Sequence, residues 1–402
     1  MRKPQTGPGR VILIPVLLLT LTGMTPLFAI DVTFTPPKFA EGPADFIDPI
    51  NEQLESIFTQ YEDEIRNTLQ YININPTKLV NAFATSSVFA STGATQRGFG
   101  GYNIFAITVG AMGGIMLPTN PFSFLGEMNS ILENVEKLDD MSLGFNPQIL
   151  NAQIGFNTSF LLDRLYLGLK LGYFNLGNGP IAFTTPSIGM MANYQLIPQI
   201  RFPLGIVVWR GISLGTGIVY QNTKMGIGIS LPSQSYPINL IDLAAPATGL
   251  EPELIPDFIP DFIPEFIWDF NVDALIRIES EIDLEFVQNT FTVPLEAVTS
   301  VRLLGFLNLS LGLGADLGFG NADFKIAGNA TAFIEDLPNF LNPIQNAGLS
   351  VSMGGTNSPD FFNPKLMAGL GLSFGPVIID VPVTIYPLNN GYNFGITLGF
   401  VL

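Results

Sequence analysis

Proton transfer in this chain can fall only to carboxylates, lysines and tyrosines, because its 402 residues include no cysteine and no histidine. That removes thiol nucleophiles, disulfides, cysteine-based metal centres, a lipid-modified cysteine and imidazole bases. A row of ionisable groups at regular spacing lies at positions 272–286. Asp273, Arg277, Glu279, Glu281, Asp283 and Glu285 take odd positions, and Ala274, Ile276, Ile278, Ile282, Leu284 and Phe286 take even ones. Carboxylates two residues apart on one strand face, such as Glu279 and Glu281, have the spacing for acid–base work. A solvated wall has the same spacing and is the commoner arrangement, so no catalytic residue, metal or cofactor is assigned and an enzyme is not expected. Lys170, Glu296, Arg302 and Asp316 occupy the polar faces of other alternating segments, and with the 273–285 row they are expected to line a water-filled lumen. A formal charge of −17 argues against a nucleic-acid partner.

Residues arranged this way need strands to hold them. The chain is 47% apolar and only 13% charged, with a mean hydropathy of +0.37. Its densest apolar run, Val11 to Leu19, is nevertheless short and broken by Pro15, whereas a spanning helix needs about 20 residues. Hydropathy spread as alternation points instead to a transmembrane β-barrel, the other structure that leaves no backbone group unpaired in lipid. Leu165, Leu167, Leu169 and Leu171 alternate with Tyr166, Gly168, Lys170 and Gly172, and Leu307 to Leu313 behave alike. Eleven alternating segments can be traced from Tyr102 to Leu402. Barrel ends that both face the periplasm require an even number, so either a strand is hidden within 232–271 or a bend near Gln288 mimics a turn; 12 to 14 strands are expected. Very short connections at Asp163-Arg164, Trp209-Arg210-Gly211, Leu304-Gly305 and Gly375-Pro376 contrast with long ones at 117–148, 232–271 and 327–363, the plan of bacterial outer-membrane barrels. The final strand, with Phe394, Ile396, Leu398, Phe400 and Leu402 on one face, has the form by which barrel-assembly machinery recognises its clients.

Ahead of the strands, residues 1–29 read as a secretory signal, with Arg2, Lys3 and Arg10 before a short apolar stretch. Asp48-Pro49 then opens an amphipathic helix to Ile72, and Asn75-Pro76 opens a second, Thr77 to Ser91, carrying Leu79, Phe83 and Phe89 among Ala, Ser and Thr. Such a helix suits either the inside of a tube or a cap beneath it. Within the long loop before Gln148, Phe124, Leu125, Met128, Ile131, Leu132 and Val135 recur at helical spacing, either as a roof or as a groove for a greasy ligand. Four tandem tetrads over 254–270, three of them carrying proline, exclude ordinary helix or central strand and leave an irregular surface loop, the favoured reading, or a ligand-facing or Ca²⁺-binding arm.

The Asn75-Pro76 step ahead of a barrel of this length, with an apolar helical outer loop, resembles the FadL-type outer-membrane transporters of long-chain fatty acids and other hydrophobic compounds. In that family an Asn-Pro-Ala step lies in a hatch that plugs the barrel; here Thr77 follows the proline. The resemblance implies a plug segment at 30–98 containing Asn75, Pro76, Phe83 and Phe89, and a barrel at 99–402. It also implies a monomer in outer-membrane lipid of a diderm bacterium, with a hydrophobic small molecule as ligand. A cation-preferring diffusion porin and a structural or adhesive surface barrel remain open beside it.

Overall fold

The computed structural model describes residues 31–39, 51–52, 55, 59, 76–90, 97, 104–119, 142–158, 163–177, 179–239, 273–335 and 343–402. The signal, the apolar loop residues Phe124, Leu125, Met128, Ile131, Leu132 and Val135, and the 254–270 tetrads lie outside them. Of the first expected helix, only Asn51, Glu52, Glu55 and Thr59 fall among them, all helical. The elements in chain order are β1 (Asp31–Thr35), β2 (Lys38–Phe39), α1 (Pro76–Ala90), β3 (Phe105–Met116), β4 (Gly144–Asn157), β5 (Leu165–Gly177), β6 (Ile181–Ile197) and β7 (Ile200–Arg201). There follow β8 (Val207–Asn239), β9 (Asp273–Leu303), β10 (Leu307–Glu335), β11 (Pro343–Gln345), β12 (Ala347–Asn357), β13 (Phe362–Phe374), β14 (Val377–Tyr386) and β15 (Gly391–Val401).

The sheet closes on itself. Antiparallel pairing runs β3-β4-β5-β6-β8-β9-β10-β13-β14-β15 and returns from β15 to β3, where Thr397 faces Gly110 and Phe400 faces Ile107. Among the described residues this ring has ten members, and the sheet holds thirteen strand segments. The expected 12 to 14 barrel strands are therefore corrected to ten in the ring. Its parity is even, as required, because positions 272–286 and 291–303 are one strand. Every residue of β9 from Leu275 to Leu303 faces β10 in unbroken register, so Gln288 marks no turn. The expected turn at Trp209-Gly211 is instead a bulge within β8, and the chain reverses through the 3-10 turn Pro203–Gly205. The other three short connections are where the alternation put them. Arg164 and Leu304 adopt positive φ there, 65° and 51°.

One end of the ring, the near end, carries these tight turns and the chain terminus, with Leu402 bonded through its backbone to Phe105. From the other, far end, β8, β9 and β10 run on well past their neighbours. There β10 pairs with β12, and β12 with β1. β12 and β13 meet β10 in the same register, Ala322 opposite Asn357 and Leu317 opposite Phe362, so they form one strand line interrupted at 358–361.

Along this line the two faces exchange character. In the ring half of β10 the outward residues are Leu309, Leu311, Leu313 and Phe319, all exposed, and the inward ones include buried Asn308 and Asp316. Beyond Gly320 the outward residues are Asn321, Asp323, Lys325 and Asn329, and the inward ones are buried Ala322, Phe324, Ile326 and Ala330. β9 switches between Glu285 and Phe291, and the β12–β13 line switches between Thr356 and Phe362. Greasy outside and polar inside suits a ring in lipid; polar outside and greasy inside suits a sheet in water. Phe291, Phe319, Phe361 and Tyr220 gather at the changeover, with Phe319 edge-on to Phe361 at 5.3 Å and Tyr220 4.8 Å from Phe291.

Candidate functional site: the helix across the ring

α1 packs against β3, β4 and β15 on one side of the ring and β9, β10 and β12 on the other, so it crosses the far mouth. Its run of small side chains permits this. Ala82 and every residue from Ala84 to Ala90 are buried, and strand glycines face them: a Cβ on Gly144 would strike the Ala82 carbonyl, and one on Gly114 would strike the backbone of Ser86 and Ala90. Gly318 meets Val88 and Gly391 meets the Phe89 ring in the same way. The upper half of the helix seals the apolar inner face of the extension, Val80 and Ala84 joining Ile278, Ile282, Phe286, Phe324, Val351 and Met353. Phe83 lies 4.5 Å from Phe286, and Phe89 stacks on Tyr386 at 3.9 Å.

Polar groups then fix the helix to the wall where the strand line is interrupted. Asn81 Nδ2 donates to the Ser358 carbonyl at 2.9 Å and to Asp360 Oδ1 at 3.0 Å, while the Asp360 amide donates to Thr85 Oγ1 at 2.9 Å. Asn389 Nδ2 donates to the other Asp360 oxygen at 2.7 Å. Ser87 Oγ and Thr290 Oγ1 of β9 are 2.8 Å apart, and on the opposite side Asn393 Nδ2 of β15 donates to the Phe89 carbonyl.

Below the helix the inside of the ring is polar and cross-bonded. Lys365 Nζ reaches Glu296 Oε1 at 2.5 Å and Asp316 Oδ1 at 2.7 Å, and Tyr386 donates to the second Asp316 oxygen at 2.8 Å. A separate set joins Asn151, Gln148, Gln221, Asn146, Thr223 and Thr185. Near the other mouth Arg97 is buried against Asp380, with Nε–Oδ2 at 2.7 Å, and also donates to Ser373 Oγ and the Leu372 carbonyl. The cavity between Arg97, Asn308, Gly371 and Asp380 is about 10 Å³, room for one water at most.

The structure divides the charged residues singled out above. Lys170, Glu296, Asp316 and Arg302 sit on strand positions facing into the ring, the first three buried. Glu279, Glu281, Asp283 and Glu285 are exposed on the opposite face, outside the extension, where Arg277 pairs with Glu279 and Glu335. Asp273 is the first residue of β9. The expectation of a single lumen wall is thus corrected: the row is wet, but it faces away from the enclosed space, because the strand continues into water beyond the changeover. An open depression of about 670 Å³ lies on that outer face between Ala182, Gly226, Glu281, Glu285 and Lys325. Pro76, Phe83 and Phe89 belong to the crossing helix, and Asn75 precedes it. Sequence reasoning missed Asn81, Asp360, Lys365 and Arg97. Of these only Lys365 carried a signal, as a cation at an inward position of the alternating 364–374 segment.

Residues 31–402 match the family described as Lsa36-like. No curated protein matches the sequence. Among solved structures the CymD monoaromatic hydrocarbon channel is 10% identical over 81% of this chain and 98% of its own, with a TM-score of 0.24. The translocator domain of the autotransporter NalP from Neisseria meningitidis is 10% identical over 87% and 98%, with a TM-score of 0.25. A Pseudomonas aeruginosa FadL homologue is 11% identical over 81% and 98%, with a TM-score of 0.23. FadL-type channels, the resemblance noted in the sequence layout, are thus among these neighbours; at scores this low the overlap carries no functional argument.

Proposed function

The chain belongs to the Lsa36-like family, and we propose that it is an outer-membrane β-barrel closed by its own N-terminal helix, admitting hydrophobic small molecules when that helix yields. The observation that carries this reading is the apolar chamber at the far mouth. Ile278, Ile282, Phe286, Phe324 and Met353 form a greasy inner face above a polar ring, and Val80, Phe83 and Ala84 of α1 fill it. A hydrophobic ligand would compete for the surface that the helix now occupies. The wall beside that chamber is the interrupted stretch at 358–361, which Asn81 and Thr85 hold. In this reading residues 1–29 are removed on export, 30–98 form the plug segment, 99–402 form the barrel, and the protein works as a monomer without enzymatic activity.

The test is uptake of a radiolabelled long-chain fatty acid into proteoliposomes. Cysteines replacing Asn81 and Asp360, whose side chains already touch, are expected to stop uptake when oxidised and restore it when reduced. Uptake no faster than in empty liposomes under both conditions would overturn the transport reading. A specific observation favours a second one, a structural or adhesive surface barrel: the described ring interior is filled by side chains bonded to each other rather than by a pore. That reading expects no uptake in either state.

A further inference from the structure

The two ends of the folded chain lie at opposite ends of the ring. β1 is bonded to β12 in the far extension, Asp31 opposite Ser352 and Thr35 opposite Gly348. β3, the first ring strand, starts at the near end, where Phe105 and Leu402 are bonded. Between them the chain is seen twice inside the ring. Ala90 ends the helix at the far mouth, buried beside Gly114, and Arg97 is buried at the near mouth, its carbonyl accepting from Ser300 Oγ at 2.7 Å and its guanidinium paired with Asp380. Six residues lie between these points, and seven chain steps can reach at most about 23 to 25 Å. That is enough to cross a membrane band about 25 Å high, the height spanned by strands of 9–11 residues tilted near 45°.

We propose that the chain crosses the outer membrane once through its own ring, so that β1 displays the mature N-terminus at the cell exterior while the C-terminus stays at the periplasmic mouth. The orientation follows from the tight turns at the near end and the long connections 117–143 and 240–272 at the far end, since short turns belong to the periplasmic side of such barrels and longer loops to the outer side. Anchors at both levels hold the threaded segment: Asn81 on Asp360 and Ser87 on Thr290 above, Arg97 on Asp380 below. The inference rests on the outer-membrane reading and adds to it an exterior position for β1, reached by a chain held inside the ring at α1 and at Arg97.

The absence of native cysteine makes the test direct. Three full-length single-cysteine variants are expressed: Asp31→Cys in β1, Asn329→Cys on the outer face of the extension, and Pro376→Cys in a near-end turn, all at exposed positions. Intact cells are treated with a maleimide carried on a polymer too large for porins, then again after the outer membrane is permeabilised. Expected is labelling of Asp31→Cys and Asn329→Cys in intact cells, and of Pro376→Cys only after permeabilisation. Labelling of Asn329→Cys but not Asp31→Cys in intact cells would overturn the threading. The reverse orientation, with Pro376→Cys alone labelled in intact cells, would overturn the external N-terminus. Fractionation of all three variants away from outer membranes would refute the membrane reading itself, a separate failure.

Discussion

Lys365 is the side chain whose environment is hardest to account for by anything but a designed contact. It is almost fully buried, as are its partners Glu296 and Asp316, and Tyr386 completes the set. Removing one member of a buried ion pair leaves an uncompensated charge, at a cost of about 3–5 kcal/mol. Lys365→Met leaves two carboxylates facing each other and is expected to lower markedly the temperature at which the folded band is lost in detergent gels. Asp323→Asn, on the wet outer face of the same sheet, is expected to shift it little, within about 0.5 kcal/mol. Equal behaviour of the two variants would mean that the Lys365 cluster is solvated. The row at Glu279 to Glu285 shows why residue type alone misleads: the odd–even pattern revealed that these groups share a face, and the exposed position of that face required knowing where the strand leaves the ring.

At the scale of elements, the strand ends beside Arg164, Leu304 and Gly375 were legible because side-chain period 2 breaks at those turns. Others were not: the strand expected at 188–208 runs from Ile181 to Ile197, and β12 lies within the connection expected at 327–363. What periodicity cannot report is which face points inward. In β9 and β10 the apolar parity reverses midway without any interruption of pairing, and that reversal is what made one strand look like two. The helix from Pro76 was legible from its spacing, but its place across the mouth is decided by glycines on β3, β4, β10 and β15, each unremarkable in sequence. This gives a sharp comparison between neighbours. Gly114→Val drives a side chain into the backbone of α1, whereas an added Cβ at Gly113 meets only the Phe394 and Phe145 rings at 3.9–4.0 Å, ordinary contact. Limited proteolysis is expected to release α1 from the Gly114→Val barrel and to leave the Gly113→Val protein intact. Equal resistance would show that the helix has room to move aside, contrary to the packing described.

For the whole molecule, the governing feature is the level at which the outer surface changes from Leu and Phe to Asn, Asp, Lys and Glu. Below it the short ring strands β14 and β15 have ten and eleven residues, the length that crosses a bilayer when tilted. Above it a sheet of β8, β9, β10, β12 and β1 keeps an ordinary apolar interior on the side that is polar in the ring. A soluble sandwich has no reason to reverse both faces of three adjacent strand lines at one height, and a barrel emerging from lipid has to. The most direct measurement is therefore a nitroxide scan along the outward positions of β10, from Leu309 to Asn329, in the protein reconstituted into bilayers. Labels at 309, 311, 313 and 319 are expected to relax with lipid-dissolved oxygen and to be shielded from a water-soluble nickel reagent, with the preference reversing at 321, 323, 325 and 329. Uniform access to the aqueous reagent along the whole strand, with no crossover near Gly320, would contradict the account.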